Sequence, residues 1–254
     1  MIKSNSNFKV KLLRNLKSKK YRYQHEMYLV EGYQISLDYL KYSKNIEFAV
    51  ISEEFEKLND LRKLKEGLEI HIVDKYIFDK ISDTKNSQGI ILVVNFEDYK
   101  IEEIINKKNL VLIDGIQDPG NLGTIIRTCD AFNVGGVLTL ENTVDLYNNK
   151  TVRASMGSIP RLPVVVCDSN YEVLEKLKMS GFKVLSSTPR YNIDIKNLDC
   201  KEKIALVIGN EGSGVSEKII NVSDDLVGIN MKGDIESLNA GIAAGILIYE
   251  ITNW

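Results

Sequence analysis

Three glycine-rich segments in the second half of the chain carry the residues best suited to chemistry. They span residues 118–128 (DPGNLGTIIRT), 208–214 (IGNEGSG) and 230–240 (NMKGDIESLNA). Each segment joins an apolar run that predicts a strand to a pattern that predicts a helix. Such junctions build the ligand sites of open α/β sheets. Because they also carry Arg, Glu, Ser and Asn, the three segments together favour an enzyme over an inert domain.

The first segment places a positive charge beside open backbone. Residues 118–120 form a turn signature, and Asn121 is a suitable cap for the helix that follows. Arg127 falls on the side of that helix opposite to its apolar stripe, one turn after Gly123, where a ligand can approach closely. The alternative is an exposed arginine on an ordinary amphipathic helix. The stripe predicted to face the sheet consists of Leu122, Ile125, Ile126, Cys129 and Phe132.

The second segment places an acid, Glu211, in a glycine-rich loop after the apolar run 204–208. The glycines permit a tight loop lined by backbone groups. The loop lacks the Gly-Lys-Ser/Thr ending of a Walker phosphate loop and does not match the GxGxxG dinucleotide pattern. A glycine-rich turn alone is typical of a mere connection, so the embedded carboxylate is what makes Glu211 a candidate functional residue.

The third segment leads through Ser237 and Asn239 into an apolar helix at residues 240–251. Ser237 fits the N-cap of this helix, which is the structural alternative to a role in a site. A helix that is apolar almost all round is expected to be buried on every side. Small residues permit close packing there, as at a subunit interface: Ala240, Gly241, Ala244 and Gly245.

Other polar residues give weaker indications. Arg153 and Ser155 are placed either to contact a substrate phosphate or to end a helix. The two histidines, His25 and His71, lack a carboxylate or cysteine partner at metal-ligand spacing, so we expect no metal site. The three cysteines are far apart and form no CxxC pair, which argues against a disulfide framework and fits a reducing cytoplasm.

The composition is that of a globular protein with one large or two ordinary domains: 254 residues, 44% hydrophobic and 27% charged. No apolar stretch is long enough to span a bilayer, and the first residues do not form a secretory signal. The net charge of −2 gives no nucleic-acid signal, but eight basic residues precede Glu26. They form either a phosphate-attracting arm or a solvated basic helix: Lys3, Lys9, Lys11, Arg14, Lys17, Lys19, Lys20 and Arg22.

The elements that must position these residues follow from the apolar pattern. The first hundred residues predict a small α/β unit, with strands at 48–52, 68–73 and 89–94 and helices at 33–42, 53–66 and 75–81. Residues 97–108 are predicted to be a helical connection. From residue 109 the strands are continuous apolar runs, typical of a buried parallel sheet. They are predicted at 110–113, 136–140, 164–167, 183–186, 204–208 and 226–229.

The three segments, in this order, resemble the motifs of the SpoU/TrmH family of RNA ribose 2′-O-methyltransferases in the SPOUT superfamily. The resemblance covers residues 109–254, and the first hundred residues resemble that family's substrate-binding domain through 28–32 (YLVEG) and 86–90 (NSQGI). It implies an α/β fold with a knotted parallel-sheet methyltransferase domain at 109–254 and a smaller N-terminal α/β domain at 1–100. The trefoil knot is an exception to ordinary topology rules. The resemblance also implies a homodimer.

The resemblance further implies S-adenosylmethionine as the methyl donor, held largely by backbone groups, and no metal. Asn230 departs from the family's usual proline, which restores a backbone N–H in the cofactor loop and relaxes φ. The positions that match or line the cofactor site are Gly209, Ile229, Leu238, Met231 and the segment 185–188, which includes Ser187.

Arg127 matches the family's catalytic arginine, a candidate base. Because a free guanidinium stays protonated, we expect it instead to bind the adjacent RNA phosphate and position the hydroxyl. Glu211 is expected to orient Arg127 or neighbouring backbone, and Ser237 and Asn239 to hold the substrate or the cofactor loop. Asn121 matches the remaining active-site position.

The implied substrate is structured RNA, ribosomal (23S) rather than transfer RNA, methylated in the cytoplasm. Transfer RNA remains an alternative substrate. A second alternative is a non-catalytic RNA-binding ribosome-assembly factor, which the retained Arg127, Glu211, Ser237 and Asn239 disfavour. A third is a methyltransferase acting on a small molecule or a protein.

Overall fold

The computed structural model describes residues 2, 4–58, 66–167, 169–189, 193–197 and 203–253. The chain divides into two compact units. The first unit contains Met1–Glu97 and Asp145–Arg161, and the second contains Asp98–Val144 and Leu162–Trp254. A segment from the second half of the sequence therefore belongs to the first unit. The division into domains at 1–100 and 109–254 stays a prediction.

Helices and strands alternate along most of the described chain. The helices are α1 (Phe8–Leu16), α2 (Lys19–His25), α3 (Tyr33–Tyr42), α4 (Glu53–Leu58), α5 (Lys75–Ile81), α6 (Pro119–Ala131), α7 (Asn149–Ala154), α8 (Asn170–Met179), α9 (Glu217–Ile220) and α10 (Ala240–Thr252). The strands are β1 (Met27–Glu31), β2 (Ile46–Ser52), β3 (Ile70–Val73), β4 (Ile90–Asn95), β5 (Asn109–Asp114), β6 (Gly136–Thr139), β7 (Val164–Val166), β8 (Phe182–Ser187), β9 (Ile193–Asp194), β10 (Lys203–Gly209) and β11 (Asp225–Gly228).

The first unit is built on a sheet with the strand order β1-β4-β2-β3. β4 is antiparallel to β1 and β2, and β3 is parallel to β2. Helices α1 and α5 each begin at a capping side chain, Asn7 and Asp74, which accepts a backbone N–H of the first turn. Both helices pack onto the sheet through a buried apolar cluster that includes Leu13, Leu16, Phe78 and Val93.

A buried ion pair joins α2 to the segment Asp145–Arg161 within the first unit. The Arg22 Nη2 and Nε atoms lie 2.5 Å and 3.0 Å from Oδ2 of Asp145, and the two side chains are 3% and 5% exposed. Nη1 of Arg22 donates to the carbonyls of Leu16 and Lys17. Because both charged groups find several partners, the pair offsets the loss of hydration that burial imposes.

The second unit contains a parallel sheet with the order β7-β6-β5-β10-β8-β11-β9 across the described residues. The central strands β5 and β10 are buried almost throughout, which explains their uninterrupted apolar sequences. One apolar cluster contains side chains of β5, β10 and α8, among them Leu112, Val207 and Leu177. The predicted α/β class and parallel sheet are confirmed.

One predicted helix is wrong, another extends beyond the described residues, and one short strand was not predicted. The helix predicted at 97–108 is wrong, because that stretch contains only a 3₁₀ turn at Ile101–Glu103, with Ile101 and Ile104 buried in the core of the second unit. The helix predicted at 53–66 is seen as α4, and residues 59–65 lie outside the described part of the chain. Strand β9 was not predicted, because two residues carry no periodicity. Across the described chain, no helix combines the length and apolarity needed to cross a bilayer.

Candidate active site

The three glycine-rich segments emerge at the carboxyl ends of neighbouring strands in the second unit. In the ladder between β10 and β5, Gly209 pairs with Asp114, and in the ladder between β11 and β8, Val227 pairs with Ser187. β8 and β10 are also neighbours. Since parallel strands all end at one edge of the sheet, the segments that follow β5, β10 and β11 all start at that edge.

The first segment begins α6, but its cap is Asp118 and not Asn121 as predicted. The Asp118 side chain accepts the backbone N–H of Asn121 at 2.9 Å, and Pro119 occupies the first turn. The sequence signal for this cap was an aspartate directly before a proline, because proline suits the first helical position. Because Asn121 is not the cap, its side chain can form hydrogen bonds outside its own helix.

Glu211, in the second segment, binds the start of α6. Its Oε2 accepts the backbone N–H of Gln117 at 3.0 Å, and its Oε1 accepts the backbone N–H of Asp118 at 3.1 Å and Nδ2 of Asn121 at 2.9 Å. Partial burial works to raise the pKa of Glu211, but these hydrogen bonds outweigh it and hold the pKa below its ordinary value. The carboxylate thus orients neighbouring backbone, one of the two predicted roles, and does not pair with Arg127.

A chain of side-chain amides continues from Glu211 to the third segment. Because an ionised carboxylate only accepts, Asn121 must turn its NH₂ toward Glu211 and its oxygen outward. That oxygen accepts Nδ2 of Asn239 at 3.0 Å. Asn239 therefore keeps its own oxygen for α10, where it accepts the N–H groups of Gly241 and Ile242 at 3.0 Å and 3.2 Å. All three segments are joined by this network of Glu211, Asn121 and Asn239, which we call the carboxylate–amide network.

Asn239 is thus the N-cap of α10, which rules out the structural alternative that Ser237 caps this helix. Ser237 lies two residues before the cap, is exposed and makes no hydrogen bond with any described residue. Asparagine and serine are equally good caps, so composition alone could not choose between them. The hydroxyl of Ser237 remains available to a ligand.

The second segment is tightly folded on itself. A Cβ atom on Gly209 would lie 2.1 Å from the backbone nitrogen of Val215, which no neighbouring atom can relieve without moving backbone. The side chain of Asn210 accepts the N–H groups of Gly212 and Ser213, and its Nδ2 donates to the carbonyl of Gly115. Glycine is therefore required at position 209 by close approach of the loop to its own strand.

Arg127 is exposed on α6 and makes no hydrogen bond or ion pair with any described residue, whereas Gly123 is buried. The predicted stripe is buried except for Phe132, which is 38% exposed and meets Tyr249 edge to face at 5.6 Å. Ile242 and Tyr249 are 58% and 51% exposed, so α10 is not buried on every side within one chain. One apolar face shared by α6 and α10 is left uncovered.

The remaining cofactor candidates lie at the same edge of the sheet. Ser187 ends β8 and is half-buried; Ile229, Met231 and Leu238, also half-buried, flank the segment between β11 and α10. In residues 230–238 no backbone group forms a backbone hydrogen bond with another described residue. The segment presents open N–H and C=O groups between apolar side chains.

Two weaker candidates have structural roles in the first unit. Ser155 is fully buried at the end of α7 and donates to the carbonyl of Val152, which favours the structural alternative over a phosphate contact. Arg153 lies 3.3 Å from Asp83 in an ion pair. Within the described ranges no three His, Cys, Asp or Glu side chains cluster as metal ligands.

The basic stretch before Glu26 is divided between structure and surface. Arg22 is buried, and three others donate to or pair with protein groups: Lys9 with Glu69, Arg14 with Asn5, and Lys17 with the carbonyl of Ser82. The basic residues that are exposed and make no such contact with a described residue are Lys11, Lys19 and Lys20, and Lys3 lies outside the described part of the chain.

Comparison with known proteins agrees with this geometry. Residues 108–249 match the model of the SpoU rRNA Methylase family, and residues 7–92 match the MRM3-like substrate binding domain. The 23S rRNA (guanosine(2553)-2′-O)-methyltransferase RlmP of Bacillus subtilis (strain 168) is 32% identical over 250 residues, covering 98% of both chains.

Solved structures give the same result. The AdoMet-bound rRNA methyltransferase from Sinorhizobium meliloti superimposes with a TM-score of 0.88 at 27% identity, covering 99% of this chain and 97% of that one. A crystal structure of an RNA 2′-O ribose methyltransferase gives a TM-score of 0.83 at 25% identity, covering 99% and 98%.

Proposed function

The chain belongs to the SpoU family of rRNA methylases, and from this premise we propose that it transfers a methyl group from S-adenosylmethionine to a ribose 2′-hydroxyl of 23S ribosomal RNA. Among the residues of this chain, one structural observation supports the proposal. The carboxylate–amide network joins three loops that are far apart in sequence at one edge of the sheet. A loop that only connects two elements does not require a carboxylate that orients two side-chain amides and two backbone N–H groups.

The residues at this edge fit S-adenosylmethionine. The open backbone of residues 230–238 suits the polar edge of adenine and the amino-acid group, and Ile229, Met231 and Leu238 suit its ring faces. Gly209 and Ser187 complete the set at the ends of β10 and β8. When bound, the sulfonium supplies an electrophilic methyl group.

The 2′-hydroxyl is a poor nucleophile until its proton is shared or removed, and the attacking oxygen must lie in line with the departing sulfur. Arg127 has no ion-pair partner among the described residues, so its guanidinium is available to the phosphate next to the target ribose. It positions the hydroxyl while remaining protonated. Each NH₂ of Asn121 and Asn239 keeps one N–H beyond the network, and with the Ser237 hydroxyl these groups hold the ribose or the cofactor loop.

The first unit holds the RNA. Lys11, Lys19 and Lys20 bind phosphates, and the half-exposed Tyr23 beside them offers a ring for stacking. Ribosomal RNA is favoured over transfer RNA because the relative RlmP, which is similar over 98% of its length, is named as a 23S rRNA methyltransferase. The enzyme works in the cytoplasm, where ribosomes are assembled.

The uncovered apolar face of α6 and α10 is the contact of a homodimer. Phe132, Ile242 and Tyr249 form it, and apolar side chains of this size are rarely left in water as a group. Sedimentation equilibrium tests this directly, with Ile242→Asp as the variant that should give monomers. The trefoil knot implied by the sequence resemblance stays a prediction.

Methyl transfer from tritiated S-adenosylmethionine to unmodified 23S rRNA and to tRNA tests the function. We expect label in 23S rRNA that ribonuclease releases, and a single 2′-O-methylated position on mapping. Arg127→Ala should lose at least about a hundredfold in kcat while cofactor binding by calorimetry is retained, and Arg127→Lys should recover part of the loss. RNA binding without transfer would instead favour an assembly factor, and activity that survives ribonuclease would favour a non-RNA substrate.

A further inference from the structure

A groove in the first unit is formed by α4, α5 and the loop at residues 83–89. Its volume is about 710 Å³, within the range of roughly 300–1,000 Å³ that is typical of sites for small ligands. Its apolar lining consists of the exposed Leu58 beside Phe55 and Phe78, which are 6% and 1% exposed and form the base of the groove. The loop wall carries Lys85, Asn86 and Gln88, all exposed. We call this the 83–89 groove.

The loop of the 83–89 groove is held in place by a buried carboxylate. Glu31, 8% exposed, accepts the Ser82 hydroxyl at 2.5 Å, the Asp83 N–H at 2.9 Å and the Thr84 hydroxyl at 2.7 Å. One acceptor group therefore fixes three successive residues where the loop begins. Burial strengthens these hydrogen bonds, which hold the start of the loop in place.

The far end of the loop is anchored as well. Oε1 of Gln88 accepts the N–H of Tyr33 at 2.6 Å, which leaves the NH₂ group of Gln88 free of described partners. Gly89 has φ +77°, and a Cβ atom there would lie 2.6 Å from Oγ of Ser52. The two sequence motifs at 28–32 and 86–90 meet directly, because the N–H of Gly32 donates to the carbonyl of Ile90 at 3.3 Å.

The groove has equal numbers of acidic and basic side chains, and two of the four make no ion pair with a described residue. Lys75 and Glu54 form a loose pair at 3.6 Å across its rim. Lys85 and Asp79 line the groove without a hydrogen bond or ion pair to any described residue. The groove therefore offers one cation, one anion and side-chain amides above an apolar floor.

We propose that the 83–89 groove binds a single unpaired nucleotide of the RNA substrate, and this rests on the proposed function. The base lies over the apolar floor, its edge meets Asn86, Gln88 and Asp79, and its phosphate meets Lys85. A nucleotide combines an apolar face, donors and acceptors on one edge, and one negative charge, which is the set of groups that this groove complements.

Two competing occupants fit less well. A duplex presents phosphates on all sides, and Asp79 and Glu54 would repel those that Lys75 and Lys85 do not neutralise. A peptide segment would be recognised through its backbone at a strand edge or through several apolar anchors, and the groove offers a loop of polar side chains instead. Phosphate contacts made by α2 do not distinguish one RNA sequence from another. Recognition of one unstacked base would supply that sequence specificity.

Steady-state methylation of unmodified 23S rRNA tests the proposal with the double variant Lys85→Ala/Asn86→Ala. Both side chains are exposed and without described contacts, so the fold should be unaffected. The matched control is Lys44→Ala/Asn45→Ala, the same pair of residue types elsewhere in the first unit. We expect KM for RNA to rise about tenfold, as for the loss of one stacked or hydrogen-bonded base, with kcat and cofactor binding unchanged, and no change in the control.

A KM within twofold of the control overturns the proposal while leaving the methyltransferase function intact. If the wild-type protein transfers no methyl group, the proposed function fails. The nucleotide site is then tested by filter binding of a 23S rRNA fragment. Weaker binding by the groove variant than by the control supports the nucleotide site, and equal binding overturns it.

Discussion

Glu211 acts through geometry that only a carboxylate can provide. Its two oxygens accept hydrogen bonds from three donors, of which two belong to backbone and one to Asn121. A carboxamide of the same shape has one oxygen and one NH₂ group. Its NH₂ group would therefore face at least one of these donors, and no hydrogen bond could form there. The identity of residue 211 therefore sets the orientation of both amides that follow it in the network.

Glu211→Gln should lower kcat/KM for RNA methylation about tenfold, because hydrogen bonds to a charged group contribute roughly 1.5–3 kcal/mol and these are partly exposed to water. The measurement is single-turnover methylation, with Glu172→Gln as a control on the exposed surface of α8. Activity equal to that of the control would remove the network from the reaction.

The same residue gives a pH dependence of stability. Because hydrogen bonding lowers the pKa of Glu211 below its ordinary value of 4.5, its contribution is complete above that value and is lost as pH falls through the lowered pKa. The difference in unfolding free energy between wild type and Glu211→Gln, measured by urea titration, should therefore shrink between pH 7 and pH 3. A difference that grows on acidification contradicts the assignment.

Gly209 is required for a steric reason that a second glycine does not share. Gly209→Ala should destabilise the protein by about 1–3 kcal/mol, since the new Cβ atom meets the backbone of Val215 and Gly214 and the loop must move. Gly233→Ala is the control for stability, because a Cβ atom there meets nothing within 4 Å. Urea unfolding of the two variants gives the comparison, and equal midpoints would be inconsistent with the close approach.

At the scale of elements, α10 couples the site to the packing of the second unit. Its cap, Asn239, is also the last member of the carboxylate–amide network, so the same side chain begins the helix and ends the chain of amides. The helix then buries Ala244, Leu247 and Ile251 against the rest of the unit. Loss of the cap should therefore affect both stability and activity.

Asn239→Ala should lower the unfolding free energy by about 0.5–2 kcal/mol, the usual effect of removing an N-cap. Ser237→Ala should leave it unchanged, because that hydroxyl bonds to no described residue. Thermal unfolding of both variants decides between the two candidate caps. The reverse ranking would restore Ser237 as the cap.

For the molecule as a whole, the chain crosses between its units more than once. Residues 145–161 leave the second half of the chain to complete the first unit, where Asp145 pairs with Arg22. A fragment that ends at residue 97 would leave the buried Arg22 without its carboxylate. Each unit has its own sheet, and the first unit is complete only with residues from the second half of the chain.

Asp145→Leu should destabilise the protein by about 3–5 kcal/mol, because it leaves a buried guanidinium unpaired. The double variant Arg22→Met/Asp145→Leu should recover much of that loss, since two apolar groups replace the pair. Urea unfolding of the single and double variants measures the coupling. Strictly additive effects would mean that the two residues do not interact.

The sequence by itself determined the parallel sheet and indicated the three candidate site segments, because long apolar runs and local turn motifs depend on neighbours in the chain. Asn121, Glu211 and Asn239 were candidates because they match active-site positions of the family that the three segments resemble. Only the tertiary structure decided that Asp118 and Asn239 are the caps, that Glu211 serves Asn121 and backbone instead of Arg127, and that residues 145–161 belong to the first unit. Hydrogen bonds between residues about a hundred positions apart depend on how strands are ordered in the sheet, and no local pattern encodes that order.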